Sequence, residues 1–210
     1  APPPPPPPAR AAGPAALPDP GPAEMTIAVA VHKEGHTVIA ADSLVNFGGQ
    51  RFTGDNCAFH KIHRVGDSLM VWAGWSLYAE MLTAHLAKHP PEALETEADV
   101  FAFFVTFWRA MRDEYTMSDR GRNDSHPFAD LDSVFLLANR FGIFRVASDL
   151  DVTQFQQYCA VGSGAKYSMG ALHVLYDLIE DPAEIARRAV QVGIDSDVYC
   201  GGPIDIAFVP

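Results

Sequence analysis

The chain has 210 residues and 17 prolines, and 11 of those prolines fall within the first 24 positions. Lys and Arg number 15 against 26 Asp and Glu, a formal net charge of −11 with no basic block to offset it, which excludes a nucleic-acid backbone-binding surface. No apolar run approaches the roughly 18 residues of a membrane span, and the leader lacks the apolar stretch of a secretory signal and the arginines of a transit peptide; a soluble cytoplasmic protein, with no membrane partner, is expected.

Residues 1–25, with Pro2 to Pro8 consecutive, have little to bury and read as a disordered or propeptide-like leader. Residues 26–210 suffice for a single domain. Ile27-Ala-Val-Ala-Val-His32 and Thr37-Val-Ile-Ala-Ala41 are compact apolar runs joined by Lys33-Glu-Gly-His36, which predicts a hairpin with Gly35 at positive φ. Residues 43–59, rich in Asn, Gly and Asp, read as a loop or irregular edge. Leu69-Met-Val-Trp-Ala73 is a buried strand ended by Gly74.

Helical periodicity follows. Tyr78, Met81, Leu82, His85 and Leu86 share one face, and Val100, Phe103, Phe104, Phe107, Trp108, Met111 and Tyr115 share another. The aromatic stripe reads as a helix packed against a sheet. After a polar loop from Asp119 to Asp130, strands are expected at Ser133–Ala138, Phe141–Ala147 and Tyr158–Val161. A helix then follows Gly162-Ser-Gly164, with Met169, Leu172, Leu175, Tyr176 and Ile179 on its apolar side. Another begins at Asp181-Pro-Ala-Glu184, with Asp181 as N-cap, Pro182 in the first position and Glu184 completing a capping box. The last strand is Ile204–Val209. Strands, two helices, strands, two helices and a strand form an α+β order, with antiparallel sheets under outer helices.

Cys57, Cys159 and Cys200 are odd in number and widely spaced, and suit a reducing compartment. Cys200 has no local histidine to make it a nucleophile. His85 and His89 stand at metal-binding spacing without a third ligand, which reads as a solvated helix end; no metal or cofactor is expected. Gly162-Ser163-Gly164 lacks the spacing of a phosphate loop. Its glycines read as a tight, closely packed turn, or as a turn placing the Ser163 hydroxyl near a reacting centre. Thr26 opens the first strand directly after Met25. Freed at its α-amine, it would hold a nucleophile and, with an amine of pKa about 8, a base.

These features fall in the order of a known family. Thr26-Ile-Ala-Val-Ala-Val, then Thr37-Val-Ile-Ala-Ala-Asp42-Ser43, His60-Lys61-Ile-His-Arg-Val65, Val71-Trp-Ala-Gly74, Ala160-Val-Gly-Ser163-Gly164 and Asp197-Val-Tyr-Cys200-Gly-Gly-Pro-Ile-Asp resemble, in sequence, proteasome β-type subunits and the bacterial HslV-type proteases. The resemblance covers essentially all of residues 26–209. It implies the N-terminal-nucleophile (Ntn) hydrolase architecture, a four-layer αββα sandwich of two antiparallel sheets between helix layers.

The resemblance also implies roles. Thr26 would be nucleophile and base, with Lys61 the cation that favours its deprotonated form and Asp42 the group that orients Lys61. Ser163 and Asp197 would complete the network around the α-amine, and the Gly74 N–H would meet the oxyanion. A homo-oligomeric ring of about six or seven subunits, single or stacked in two, an ATPase unfoldase partner and polypeptide substrates are implied likewise. The sequence departs from the family at Cys200, where the pattern has Ser, and at Ile27, where a second Thr is common. The chain between Gly54 and Lys61 is also longer than in HslV, and the leader would block the α-amine while attached. The alternatives are a catalytically silent structural ring subunit and an Ntn amidohydrolase acting on small amides.

Overall fold

The pairing of β1 (Ala28–Lys33) with β2 (His36–Asp42) is set by their turn, in which Glu34 (φ 52°) and Gly35 (φ 75°) both lie left-handed, as a two-residue turn matched to strand twist requires. The register runs from Lys33–His36 to Ala28–Ala41. The protein is represented by a computed structural model that describes residues 26–47, 50–52, 59–91, 93–115, 131 and 133–210. The leader, Cys57 and the polar loop 119–130 lie outside the described residues.

Among those residues, eleven strands and four helices follow the expected order. β3 (Val45–Phe47) and β4 (Gln50–Phe52) pair with each other. β5 (His63–Val65), β6 (Ser68–Ala73), β7 (Val134–Asn139), β8 (Gly142–Val146) and β9 (Val152–Phe155) form an antiparallel sheet in that order. β10 (Tyr158–Val161), β1, β2 and β11 (Ile204–Phe208) form a second sheet. Helices α1 (Tyr78–Lys88) and α2 (Glu97–Glu114) cover the five-stranded sheet; α3 (Ala165–Leu178) and α4 (Pro182–Ser196) cover the four-stranded one.

Three buried clusters make this a four-layer αββα sandwich. Val29, Val31, Val38 and Ala40 face α3 and α4, whereas Ala28, Ala30, Ile39 and Ala41 of the same strands meet Leu69, Val71, Leu136 and Ala138 of the other sheet. Strands buried on both faces explain why β1 and β2 are continuous apolar runs rather than alternating ones. Met70, Trp72, Phe135 and Phe144 point the other way, into the α2 stripe of Val100, Phe103, Phe104, Phe107 and Met111.

Several local expectations change. The 43–59 segment contains the short β3–β4 hairpin, and β5 and β9 were not expected, because three or four residues cannot establish a period. The α4 cap is Asp181, whose carboxylate accepts the Ala183 N–H at 2.9 Å. Glu184 does not close a capping box; it pairs instead with Arg187 and Arg188. A box does form on α2, where Thr96 and Asp99 exchange side-chain and backbone hydrogen bonds. His85 is 2% exposed, not solvated, and packs on Phe107 with ring centroids 5.3 Å apart. No described helix is long and apolar enough to cross a membrane.

Candidate active site

One step past the Ala28–Ala41 pair, the hairpin sets Ile27 beside Asp42. The Ile27 N–H donates to Asp42 Oδ1 at 3.0 Å, and the Asp42 N–H to the Ile27 carbonyl at 3.0 Å. The Gly201 N–H donates to Oδ2 at 2.9 Å. Lys61, arriving from the segment before β5, places Nζ 2.6 Å from Asp42 Oδ1 and 3.0 Å from Thr26 Oγ1. Asp42 is fully buried, and Lys61 and Thr26 are each 6% exposed. A buried ion pair is sustainable only when its remaining donors and acceptors are met; here two backbone N–H groups and a hydroxyl meet them. The longer chain before Lys61 does not keep its ammonium from the Thr26 hydroxyl.

Glycines hold Thr26 from the other side. Gly162, at φ +99°, lies so close that a Cβ there would stand 2.1 Å from the Thr26 carbonyl oxygen and 3.5 Å from Ala73 Cβ. The Gly164 N–H approaches the same carbonyl at 3.5 Å, and a Cβ on Gly164 would meet Ile27 Cβ at 3.0 Å. The Gly-Ser-Gly turn is therefore a closely packed clamp on the first strand. Ala73 ends β6 against this clamp, and Gly74 follows at φ +149°, where a Cβ would meet Ser133 Oγ at 1.8 Å. Only glycine fits that turn.

Ser163 and Asp197 stand further out. The Ser163 hydroxyl lies 3.7 Å from Cys200 Sγ, at the long limit for a sulfur contact. Asp197 is the C-cap of α4, and its carboxylate accepts the Tyr199 N–H at 2.9 Å. Direct hydrogen bonding to the Thr26 hydroxyl comes from Lys61, while Ser163 and Asp197 are joined to the site through the 197–201 turn. Burial, then the Asp42 charge, pushes the Cys200 thiol up to about 12, so it is protonated at neutral pH and no nucleophile.

No protein-family model matches the chain. The ATP-dependent protease subunit HslV of Caulobacter sp. is 29% identical over 187 residues, spanning 86% of this chain and 92% of that relative. The solved structure of Thiobacillus denitrificans BPH is 30% identical, with a TM-score of 0.80 over 87% of this chain and 97% of that one. The chain belongs to the HslV-type, proteasome β-type threonine peptidase family. BPH has also been solved in complex with epoxomicin. HslV from Trypanosoma brucei, at 19% identity, 87% of this chain, 98% of that one and a TM-score of 0.63, shows the shared Ntn-hydrolase fold.

Within that HslV-type frame, two departures have a structural account. Ile27 is fully buried in the α3–α4 core cluster, where an aliphatic side chain fits. Cys200 packs its sulfur 3.1 Å from where a Gly164 Cβ would stand. Among the described residues no cluster of three His, Cys, Asp or Glu could hold a metal. Sequence reasoning missed the Gly201 N–H on Asp42, and it read the Gly162–Gly164 turn as closely packed without naming Thr26 as what it packs on. The signal for both was present in the Gly162 and Gly201-Gly202 positions, but a glycine names a close approach without naming its partner.

Proposed function

We propose that the protein is a threonine-type endopeptidase subunit of a self-compartmentalising, proteasome-like protease, with Thr26 as nucleophile. The observation that carries this is the Lys61 ammonium 3.0 Å from Thr26 Oγ1 while paired with the buried Asp42 carboxylate. Once residues 1–25 are removed, the Thr26 α-amine takes the hydroxyl proton as Oγ1 attacks the substrate carbonyl carbon. The Lys61 charge favours the forming alkoxide, and the Gly74 N–H donates to the oxyanion. The C–N bond then breaks, the ammonium formed at Thr26 returns its proton to the leaving amine, and water hydrolyses the Thr26 ester. Ser163 and Asp197 act through the turn beside the α-amine. Residues 26–210 form the mature single domain.

On the same reading, the subunits assemble into a homo-oligomeric ring in the cytoplasm, single or doubled, supplied with unfolded polypeptide by an ATPase. The relatives named ATP-dependent protease subunit support that partner. The test joins three measurements on the full chain. Intact mass should show a mature species beginning at Thr26, native mass a ring, and Thr26→Ala should lower peptide hydrolysis about 10⁴-fold or more. A chain that keeps its leader and cleaves nothing is the silent ring subunit. A monomer or dimer that hydrolyses small amides is the alternative amidohydrolase.

A further inference from the structure

The strand that delivers Lys61 and the strand that delivers Gly74 are neighbours, and an aromatic contact joins them. His63, two residues after Lys61, pairs in register with Met70 of β6. Its ring therefore reaches diagonally to Trp72, two residues before Gly74, and stacks on the indole with centroids 4.5 Å apart and planes 23° from parallel. His63 is tied to the backbone of His60, while its Nε2 is buried without a hydrogen-bond partner, so the ring acts here by its face. Trp72 is 6% exposed, and its indole N–H donates to the Trp75 carbonyl at 3.2 Å. That carbonyl also accepts the Tyr78 N–H at 3.3 Å. The turn containing Gly74 is thus pinned from both ends, by β6 and by the first residue of α1.

We propose that the His63–Trp72 stack is a positioning device: it fixes the 73–75 turn relative to the Lys61 segment, and so sets the Gly74 N–H and the Lys61 ammonium at one spacing. Its catalytic meaning rests on the peptidase reading above; its structural content does not. A donor displaced by an ångström loses most of its effect on a developing oxyanion while leaving substrate binding largely intact. His63 and Trp72 are positioning residues on this account, since neither need touch the substrate.

The test uses the full chain carrying His63→Ala, His63→Phe and Trp72→Phe. His63→Ala removes the stacked ring, His63→Phe keeps a flat ring without nitrogens, and Trp72→Phe keeps the ring and removes the N–H. Hydrogen exchange of the 72–78 segment should quicken by about tenfold in His63→Ala and in Trp72→Phe, and return to near the parent value in His63→Phe. In the active protein, kcat should fall by about 10- to 100-fold in His63→Ala with KM within about twofold, and His63→Phe should restore most of it. Unchanged exchange in His63→Ala overturns the proposal. So does equal loss of kcat in His63→Ala and His63→Phe, which would place the imidazole itself in the chemistry. A parent that cleaves nothing while exchange responds as stated refutes the peptidase reading alone and upholds the stack as what fixes the turn.

Discussion

The two sheet-and-helix halves of the sandwich solve opposite problems. The half built from β10, β1, β2 and β11 under α3 and α4 has a core of Ile27, Val29, Val31, Val38, Ala40, Ala186, Ala189 and similar side chains. Small residues there allow close approach: the Gly162 backbone against the Thr26 carbonyl, and the Ile27 side chain against Gly193, where a Cβ would stand 2.9 Å from Ile27 Cγ1. The half built from β5 to β9 under α1 and α2 is filled by Trp72, Tyr78, Phe103, Phe104, Phe107, Phe135 and Phe144. It contributes volume, and sends Lys61 and Gly74 to the site. Close backbone approach brings N–H groups to a carboxylate; aromatic volume holds the scaffold. Chemistry and stability are therefore separable by mutation.

The largest effect is expected where the two halves meet. Lys61→Met leaves the Asp42 carboxylate buried with its ammonium gone, a loss of about 3–5 kcal/mol by urea unfolding, together with nearly all peptide hydrolysis. Adding Asp42→Asn removes the stranded charge and keeps an amide oxygen for one of the two N–H groups, Ile27 or Gly201, while its NH2 faces the other. The double variant should recover part of the lost stability, short of the parent by the one N–H left without an acceptor, and none of the activity. If stability does not recover, the pair is not the buried charge pair its geometry indicates.

Phe104→Ala sets the opposite corner. Phe104 is fully exposure-free and meets Phe135 at 4.8 Å between centroids. Its loss should also cost about 3–5 kcal/mol. Below the melting transition, however, kcat should stay within about twofold of the parent. A kcat that falls in step with stability would show that the halves are not separable.

This division also explains what could be read from the sequence. The hairpin followed from Lys33-Glu-Gly-His36, and its register alone puts Ile27 opposite Asp42, so half of the site was legible from local rules. The aromatic stripe of α2 was legible from its period. Lys61 was found by resemblance alone, since its ammonium meets Asp42 and Thr26, 19 and 35 positions earlier in the chain. The role of Gly201 was hidden for the same reason: its N–H reaches a carboxylate 159 positions earlier. The burial of His85 was misread because an imidazole at a helix end looks polar, although Phe103 and Phe107 surround it.

The aromatic half should also be the acid-labile one. Burial is the first cause that holds His63 and His85 below the ordinary histidine value. At His63 the hydrogen bond to the His60 backbone opposes this more than the His60 ring charge adds to it, and Glu80 opposes it as well; at His85, His89 and Lys88 add and Glu114 opposes. A histidine depressed in the folded state binds its proton more readily when unfolded. Stability is then fully present above about pH 6.5 and declines as pH falls below it. Urea midpoints measured from pH 8 to pH 5 should show that decline, and His85→Phe should flatten it. A slope unchanged in His85→Phe would remove His85 from the account.

The smallest effect is expected at the thiol beside the site. Cys200→Ser restores the residue type of the family pattern, yet the geometry predicts little benefit. The sulfur is already 3.7 Å from Ser163 Oγ. A serine oxygen sits closer to its own Cβ, so the gap widens beyond the roughly 2.5–3.0 Å of an O–H···O bond. The variant also gives up sulfur volume packed against Gly164, a loss of about 1 kcal/mol. We expect kcat within about threefold of the parent and slightly lower stability. With the thiol held near 12, about one molecule in 10⁴ carries the thiolate at pH 8, so native Cys200 should resist iodoacetamide until the protein unfolds. A tenfold rise in kcat on Cys200→Ser would mean that the 197–201 turn relaxes toward Ser163 when sulfur is removed. The low-volume half would then be adjustable around Thr26 rather than set by its backbone contacts.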